Sequence, residues 1–559
     1  MKMNIKNIFS AAAAAVMLTA CIGDLNTVPL NKTDVTSESA YGADEAGYLQ
    51  GLTKVYALMI NDDKENPKLE VSDGGASEFV RAFWSTQEVT ADAAKCAWPD
   101  AWVNDLNNCT WKGDVLNDAV YAVYVRTLQG VAYANEFLRQ TSSANLELRG
   151  VSAEVAKKID QFRAEARFIR AYLYWAALDT FGQVPFSTED SPFGGGYNPP
   201  QTDRKTVFNF VIEELEELAG ENSAMPAAQS NYPRADKGSC LGLLARMYLN
   251  AEVYTGTAMW AEAKSTCERI YKLGYKLAPT HAEVFRGDNG ENPDARGEIL
   301  FAASYDAENA RSYGGTTYLT LSTLCSNETL DDKPTEKTGI NGGWAGNRVP
   351  YEYIQKFFPD VKNPDYEAEW TVSDPGYDYT DKRAGYFFIQ NRSESMLDAL
   401  NTFKCGWSCM KFNNVPHDIE NPLDYKNTAV VKTFSDIDWP LIRLGEIHLI
   451  YAEACMHAGG DASTQLAQIA NRAGVAPVKQ ADVTNDWLME ERARELMWEG
   501  HRRTDLIRYD KWISGYNWTY KGGDFTGKDL PSHFDVFPIP SSELTTNLDL
   551  EQNPGYARP

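Results

Sequence analysis

The chain has 559 residues, 43% hydrophobic and 23% charged, a globular balance that excludes a disordered, collagenous or polytopic membrane protein. With 53 Lys and Arg against 78 Asp and Glu, the formal charge of −25 repels phosphate backbones and anionic surfaces, so nucleic acid is not an expected partner. The 14 Trp, 29 Tyr and 23 Phe supply more flat aromatic surface than a core alone requires, which suits a neutral ligand.

At the start of the chain, Lys2 and Lys6 precede an apolar run from Ile8 to Ala20. That run is too short to span a bilayer and fits the apolar centre of a signal peptide. It ends in Leu18-Thr-Ala-Cys21, small residues before a cysteine, as in a bacterial lipoprotein whose Cys becomes the acylated first residue. Residues 1–20 are therefore read as the signal and 21–40 as a polar tether carrying Asp24, Asn26, Pro29 and Thr33. Two or three acyl chains anchor stably where one does not, and no later run of 18 apolar residues supplies a membrane span.

Residues 41–274 read as a helical scaffold. Ala164, Phe168, Ala171, Tyr172, Trp175 and Leu178 recur at helical spacing and predict an amphipathic helix that stops before Gly182 and Pro185. Val207 to Ala219, a helix capped by Asp236 and running to Leu249, and Trp260 to Leu273 follow. Small residues among Leu243, Ala245, Leu249 and Ala251 let helices approach closely, the texture of tetratricopeptide-like helix pairs stacked into a superhelix. The texture returns in 435–559, where Leu441 to Ala458, Thr464 to Ala473 and Asp486 to Glu499 predict helices stopped by glycines. The fold expected is mainly α.

Between these lies a long loop-rich region, 275–434, rich in Gly, Asn, Asp and aromatics. A second stretch read in the same way, 73–111, carries Phe83, Trp84, Trp98, Trp102 and Trp111. Long irregular segments in a compact protein are usually functional, so ligand contacts are expected on these loops. Once Cys21 is set aside, eight cysteines remain. Cys405 and Cys409 are read as a disulfide or as two free thiols, and Cys240, Cys267 and Cys455 as small buried hydrophobes.

Several motifs along the whole chain are similar to those of the SusD/RagB outer-membrane nutrient-binding lipoproteins. They are Ala164-Glu-Ala-Arg-Phe-Ile-Arg-Ala171 with Phe181-Gly-Gln-Val-Pro185, and Arg234-Ala-Asp-Lys-Gly238 leading into Leu243-Leu-Ala-Arg-Met-Tyr-Leu249. Trp439-Pro-Leu-Ile-Arg443, Tyr451-Ala-Glu-Ala454, Glu491-Arg-Ala-Arg-Glu-Leu496, Glu499-Gly-His-Arg502, Pro538-Ile-Pro540 and Gln552-Asn-Pro-Gly-Tyr556 complete the set. The resemblance implies four tetratricopeptide-like units, lipidation at Cys21, exposure at the cell surface in the outer membrane, and a lid role over a TonB-dependent, SusC-like transporter. It also implies that no cofactor is required.

Sugars present apolar C–H faces and hydroxyl rims, so a binder needs flat rings and a few convergent polar groups. The chain resembles the starch-binding prototype of the family. The positions matching that prototype's arc of three aromatics are Trp98, Tyr313 and Trp344, and Asp73 and Arg81 match its polar contacts. Cys96 and Ala101 depart from the pattern, standing where the prototype has a further Trp and an Asn. Two or three such rings on an open surface imply affinities of about micromolar to millimolar.

Asp288, Asp436 and Asp438 offer hard oxygen ligands, and some family members carry structural calcium, so a Ca2+ site is entertained there beside a plain acidic loop. Glu491, Glu495 and Glu499, with nearby Arg residues, read as structural charge pairing, and His448 and His501 as packed residues. The alternatives to a glycan binder are a glycoside hydrolase, because carboxylates and aromatics also line sugar-cleaving clefts, and a purely protein-docking helical scaffold. No HExxH or GxSxG occurs, and Gly522 to Lys528 resembles a phosphate loop but is followed by Asp529 where Ser or Thr belongs. The expected protein is not an enzyme.

Overall fold

In a computed structural model, the described residues are 37–62, 69, 71–194, 196–324, 338–358, 380–388, 396, 400, 405–418 and 432–559. The signal, Cys21 and most of the tether lie outside them. Helices dominate: α1 (Glu45–Ala57), α2 (Phe79–Trp84), α3 (Ala101–Asn108), α4 (Asp118–Gln140), α5 (Ala153–Phe181), α6 (Arg204–Leu218), α7 (Lys237–Leu249) and α8 (Trp260–Tyr271) come first. After them come α9 (Gly315–Ser322), α10 (Leu444–Ala458), α11 (Ser463–Ala473), α12 (Asn485–Glu495) and α13 (Arg502–Arg508). No described helix is long and apolar enough to cross a membrane.

Neighbours in sequence are mostly neighbours in space, as expected of stacked helix pairs. α4 packs on α5, α5 on α6, α6 on α7, α7 on α8, α8 on α10 and α10 on α11. The starts are set by local chemistry. Ser152 accepts a hydrogen bond from Val155 N–H at the head of α5, and Asp203 one from Thr206 N–H at the head of α6. Asp236 and Ser239 form a reciprocal capping box on α7.

Three expectations about elements are corrected. The helix expected from Leu441 begins at Leu444, because Trp439–Arg443 form a strand, β4, antiparallel to β2 (Ile299–Ala303). All ten residues of the pair are buried, and a short apolar run cannot be told from a helix by periodicity alone. The helix expected to reach Glu499 ends at Glu495, since Trp498 takes a left-handed φ of 61° and donates from its indole to Ala93 O. Finally, 73–111 is not an exposed loop: it holds α2 and α3, and Phe83, Trp84, Trp102 and Trp111 are all buried.

The strand β4 ends in a buried charge assembly. Arg443 donates to Glu298, Glu495 and Glu499 at 2.9, 2.8 and 2.6 Å. Arg472 and Arg383 also reach Glu495, Arg383 reaches Glu491, and Lys411 reaches Glu499. Burial alone would raise the Glu495 carboxyl, but Arg472, His281, Arg443 and Arg383 outweigh it and hold the group well below its ordinary range. The expected charge pairing, on or between helices, is present in both forms: Arg494 pairs with Glu491 along α12 at 2.9 Å, and the rest runs between segments. His448 is packed as expected, bonded to Tyr271 and Gln468. So is His501, which burial pushes down to about 4. Cys96, Cys109, Cys240, Cys267, Cys409 and Cys455 are buried free thiols, and Cys405 is buried as well.

Candidate functional site

A small strand pair brings the aromatic positions together. β1 (Lys95–Cys96) runs antiparallel to β3 (Asn347–Arg348), with Lys95 opposite Arg348 and Cys96 opposite Asn347. The next rung is Ala97 N–H donating to Gly346 O at 2.9 Å. Trp98 leaves one strand and Trp344 approaches the other, so the two arrive at the same end of the pair. There Trp98 donates its indole N–H to Trp344 O at 3.0 Å. The indole lies against Gly346, where a Cβ would sit 2.8 Å from its ring, so this close approach needs glycine.

The turn carrying Trp344 is strapped to the end of α9. Trp344 N–H donates to Leu321 O at 2.8 Å, and Gly346 N–H to Ser322 O at 2.7 Å. Tyr313 sits just before α9, its N–H donating to Asp62 at 3.0 Å. The Tyr313 and Trp344 ring centres are 6.4 Å apart with planes inclined by 35°. All three rings, Trp98, Tyr313 and Trp344, are half-buried.

Against Trp98 lies Arg81, on α2. Its side chain is only 2% exposed and bonds Asp73 at 2.5 Å, while the Asp73 side chain is 44% exposed. The guanidinium lies 5.3 Å from the Trp98 ring centre and 4.2 Å from that of Tyr318, a cation stacked on two aromatic faces. The five residues singled out from the sequence thus form one connected group, with Arg81 as its floor and Asp73 as its open acceptor.

Three participants were missed. Tyr318 packs on Trp98 at 5.9 Å, and half-buried Phe434 meets Tyr313 edge-on at 4.9 Å. Glu78 accepts from Arg81 N–H and Gly315 N–H. Tyr318 was within reach of a sequence reading, being five residues beyond Tyr313 in the same Gly-Gly-Thr-Thr-Tyr motif. Glu78 and Phe434 carry no local signal. Of the two departures, Cys96 is buried in β1, and burial pushes its thiol up to about 11. Ala101 is exposed at the start of α3 and offers no polar side chain.

The three aspartates entertained as calcium ligands are held by protein donors instead. Asp288 takes the His417 ring and N–H, Asp436 takes Lys432 at 2.8 Å, and buried Asp438 takes the Tyr232 hydroxyl at 2.7 Å and Tyr305 N–H at 3.0 Å. Burial pushes the Asp438 carboxyl up to about 6. Among the described residues no three His, Cys, Asp or Glu side chains gather into one group that could hold a metal ion.

Residues 70–249 match a family model described as starch-binding associating with outer membrane, and residues 297–556 one described as the SusD family. The chain is 31% identical to the starch-binding protein SusD of Bacteroides thetaiotaomicron, over 99% of both chains. The chain belongs to the SusD family. Among solved SusD-family folds, a laminarin-binding SusD-like protein superposes with a TM-score of 0.64 at 20% identity, over 92% of this chain and 100% of that one. Surface glycan-binding protein A from Bacteroides thetaiotaomicron, in complex with laminarihexaose, gives 0.63 at 17% identity, over 91% and 99%. At those identities the two SusD-type structures support the fold alone.

Proposed function

We propose that this protein is a non-catalytic, cell-surface glycan receptor, lipid-anchored in the outer membrane through Cys21. In this reading Trp98, Tyr313 and Trp344 stack on sugar rings, Asp73 accepts hydroxyl hydrogens, and Arg81 holds Asp73 and the Trp98 ring in place. The observation that carries it is the connected group of three half-buried rings, of which Trp98 lies on one buried guanidinium. A ring with one face packed and one face open is prepared to stack on a ligand without first being ordered. The starch-binding relative, matched over nearly the full length, favours an α-glucan. The exposed Ala101 in place of an Asn leaves one fewer hydrogen bond to that ligand.

Captured oligosaccharide or polysaccharide passes to a TonB-dependent, SusC-like transporter, a step that suits weak, open-surface binding. Affinity electrophoresis in amylopectin and in laminarin gels tests the reading. Retardation in amylopectin with no reducing-end release is expected. Reducing-end release would mark a hydrolase, and unretarded migration in both gels would leave the docking scaffold. Cys21→Ala should move the protein from the outer-membrane fraction to the soluble fraction, and continued sedimentation with membranes would refute the anchor.

A further inference from the structure

Glu78 lies under the ring face, where three chain segments meet. Its side chain is fully buried. Oε2 accepts from Arg81 N–H at 2.6 Å, capping the first turn of α2, and from Gly315 N–H at 2.9 Å, at the head of α9. Oε1 accepts from the Tyr305 hydroxyl. The first of these bonds fixes the helix whose Arg81 holds Asp73 and floors Trp98. The second fixes the turn whose Tyr313 faces Trp344.

The turn is shaped around this carboxylate. A Cβ on Gly314 would lie 2.5 Å from Glu78 Oε2, and one on Gly315, whose φ is +47°, would lie 2.2 Å from the Tyr305 hydroxyl oxygen. Neither position admits a side chain while Glu78 reaches across.

We propose that Glu78 is the positioning residue of the glycan face, one carboxylate that ties the Arg81–Asp73 arm to the Tyr313 turn and so sets the span between the rings. The proposal rests on the glycan-binding reading above. The charged and titratable groups around Glu78 are few. Arg81 faces it from α2, Tyr305 from the segment after β2, and Asp438 stands behind Tyr305, accepting its N–H. Asp73 and Asp62 act one step removed, on Arg81 and on Tyr313 N–H.

Burial pushes the Glu78 carboxyl up to about 7, against the opposing pull of Tyr305, the two N–H groups and Arg81. The group is ionised above that pH and takes up its proton as the pH falls through it. At pH 8 the carboxylate is charged and both backbone bonds are charge-assisted, roughly twice as strong as neutral ones.

Two measurements on the full mature chain test this. The first is hydrogen exchange without ligand at pH 8, comparing wild type with Glu78→Ala and Glu78→Gln. Exchange across 312–318 should quicken about tenfold in the Ala variant, with α10 unchanged, because one charged hydrogen bond is lost. Gln, whose carbonyl accepts the same two N–H groups, should restore most of the protection. The second is calorimetry with maltohexaose at pH 8. The Ala variant should bind about tenfold more weakly than wild type, and Gln should restore most of the affinity.

Unchanged exchange across 312–318 in Glu78→Ala would overturn the positioning role whether or not glycan binds, as would equal quickening in α10, which signals general loosening. Wild-type affinity in Glu78→Ala would also overturn it. A wild-type protein that binds neither maltohexaose nor laminarihexaose would instead overturn the proposed function, with the exchange data still deciding the role of Glu78.

Discussion

Around Arg443 the protein buries Glu298, Glu495 and Glu499 with their cations at 2.6–2.9 Å. Around Trp98 it leaves three rings and one carboxylate half open over a buried Arg81. Both assemblies use arginine, but to opposite ends. The first satisfies the acids it surrounds, so that breaking any pair strands a charge in the interior. In the second the guanidinium pairs with Asp73 and lies on the Trp98 and Tyr318 rings, and of those two only Trp98 keeps part of its surface exposed. Full pairing under full burial makes a structural element. In the proposed reading, a buried base beneath an incomplete cover makes a binding face.

The sharpest way to break that contrast is Arg443→Ala. It leaves three buried carboxylates without their shared cation and should cost about 3–5 kcal/mol, read as a large fall in Tm. A variant that melts like wild type would refute a structural role for the assembly. Next come the rings. Trp344→Ala should weaken glycan binding by about 1–3 kcal/mol, by analogy with base stacking on an aromatic ring, and barely move Tm. Trp98→Ala should lose similar affinity and also about 1–3 kcal/mol of stability, because Trp98 packs on Arg81, Tyr318 and Gly346. Calorimetry paired with thermal unfolding separates the two, and equal Tm values would show that Trp98 is not part of the base.

The smallest effect is that of pH on stability. Burial raises Glu78 and Glu88 to about 7, and Asp236 and Asp438 to about 6. Acids with raised folded-state values contribute stability that is complete below the unfolded value near 4 and lost as pH rises through 6 to 7. The depressed acids Glu446, held at about 2 with Arg246 opposing its burial, and Glu495 act only at lower pH. Burial pushes His281, His448 and His501 down, and they oppose this over the same window. The acids are therefore read by difference: the Tm of wild type minus that of Glu88→Gln should fall from pH 5.5 to 7.5, and a constant difference would contradict the burial of this carboxyl.

Much of the scaffold was legible because its signals are local: the 3.6-residue spacing in α5, the Asp236 cap of α7 and the glycine stops after α8 and α11. The strand β4 was not, since five buried residues carry no period and their partner strand lies some 140 positions earlier in the chain. The same holds at the site. Trp98, Tyr313 and Trp344 were found through their flanking glycines and proline by resemblance, and the register of β1 with β3 explains why the two tryptophans meet. Which tryptophans would be interred was not legible, because Trp84 and Trp102 owe their burial to distant segments. Glu78 was hidden for the same reason: its partners come from Tyr305 and Gly315, far along the chain.

Burial of the thiols has an outcome of its own. Seven cysteines are enclosed, and burial pushes the Cys96 and Cys109 thiols up to about 11, so these two stay protonated and slow to react. Attack at either position waits on a local opening of the fold, so the rate at which a thiol reagent labels Cys96 or Cys109 reports how often that part of the protein opens.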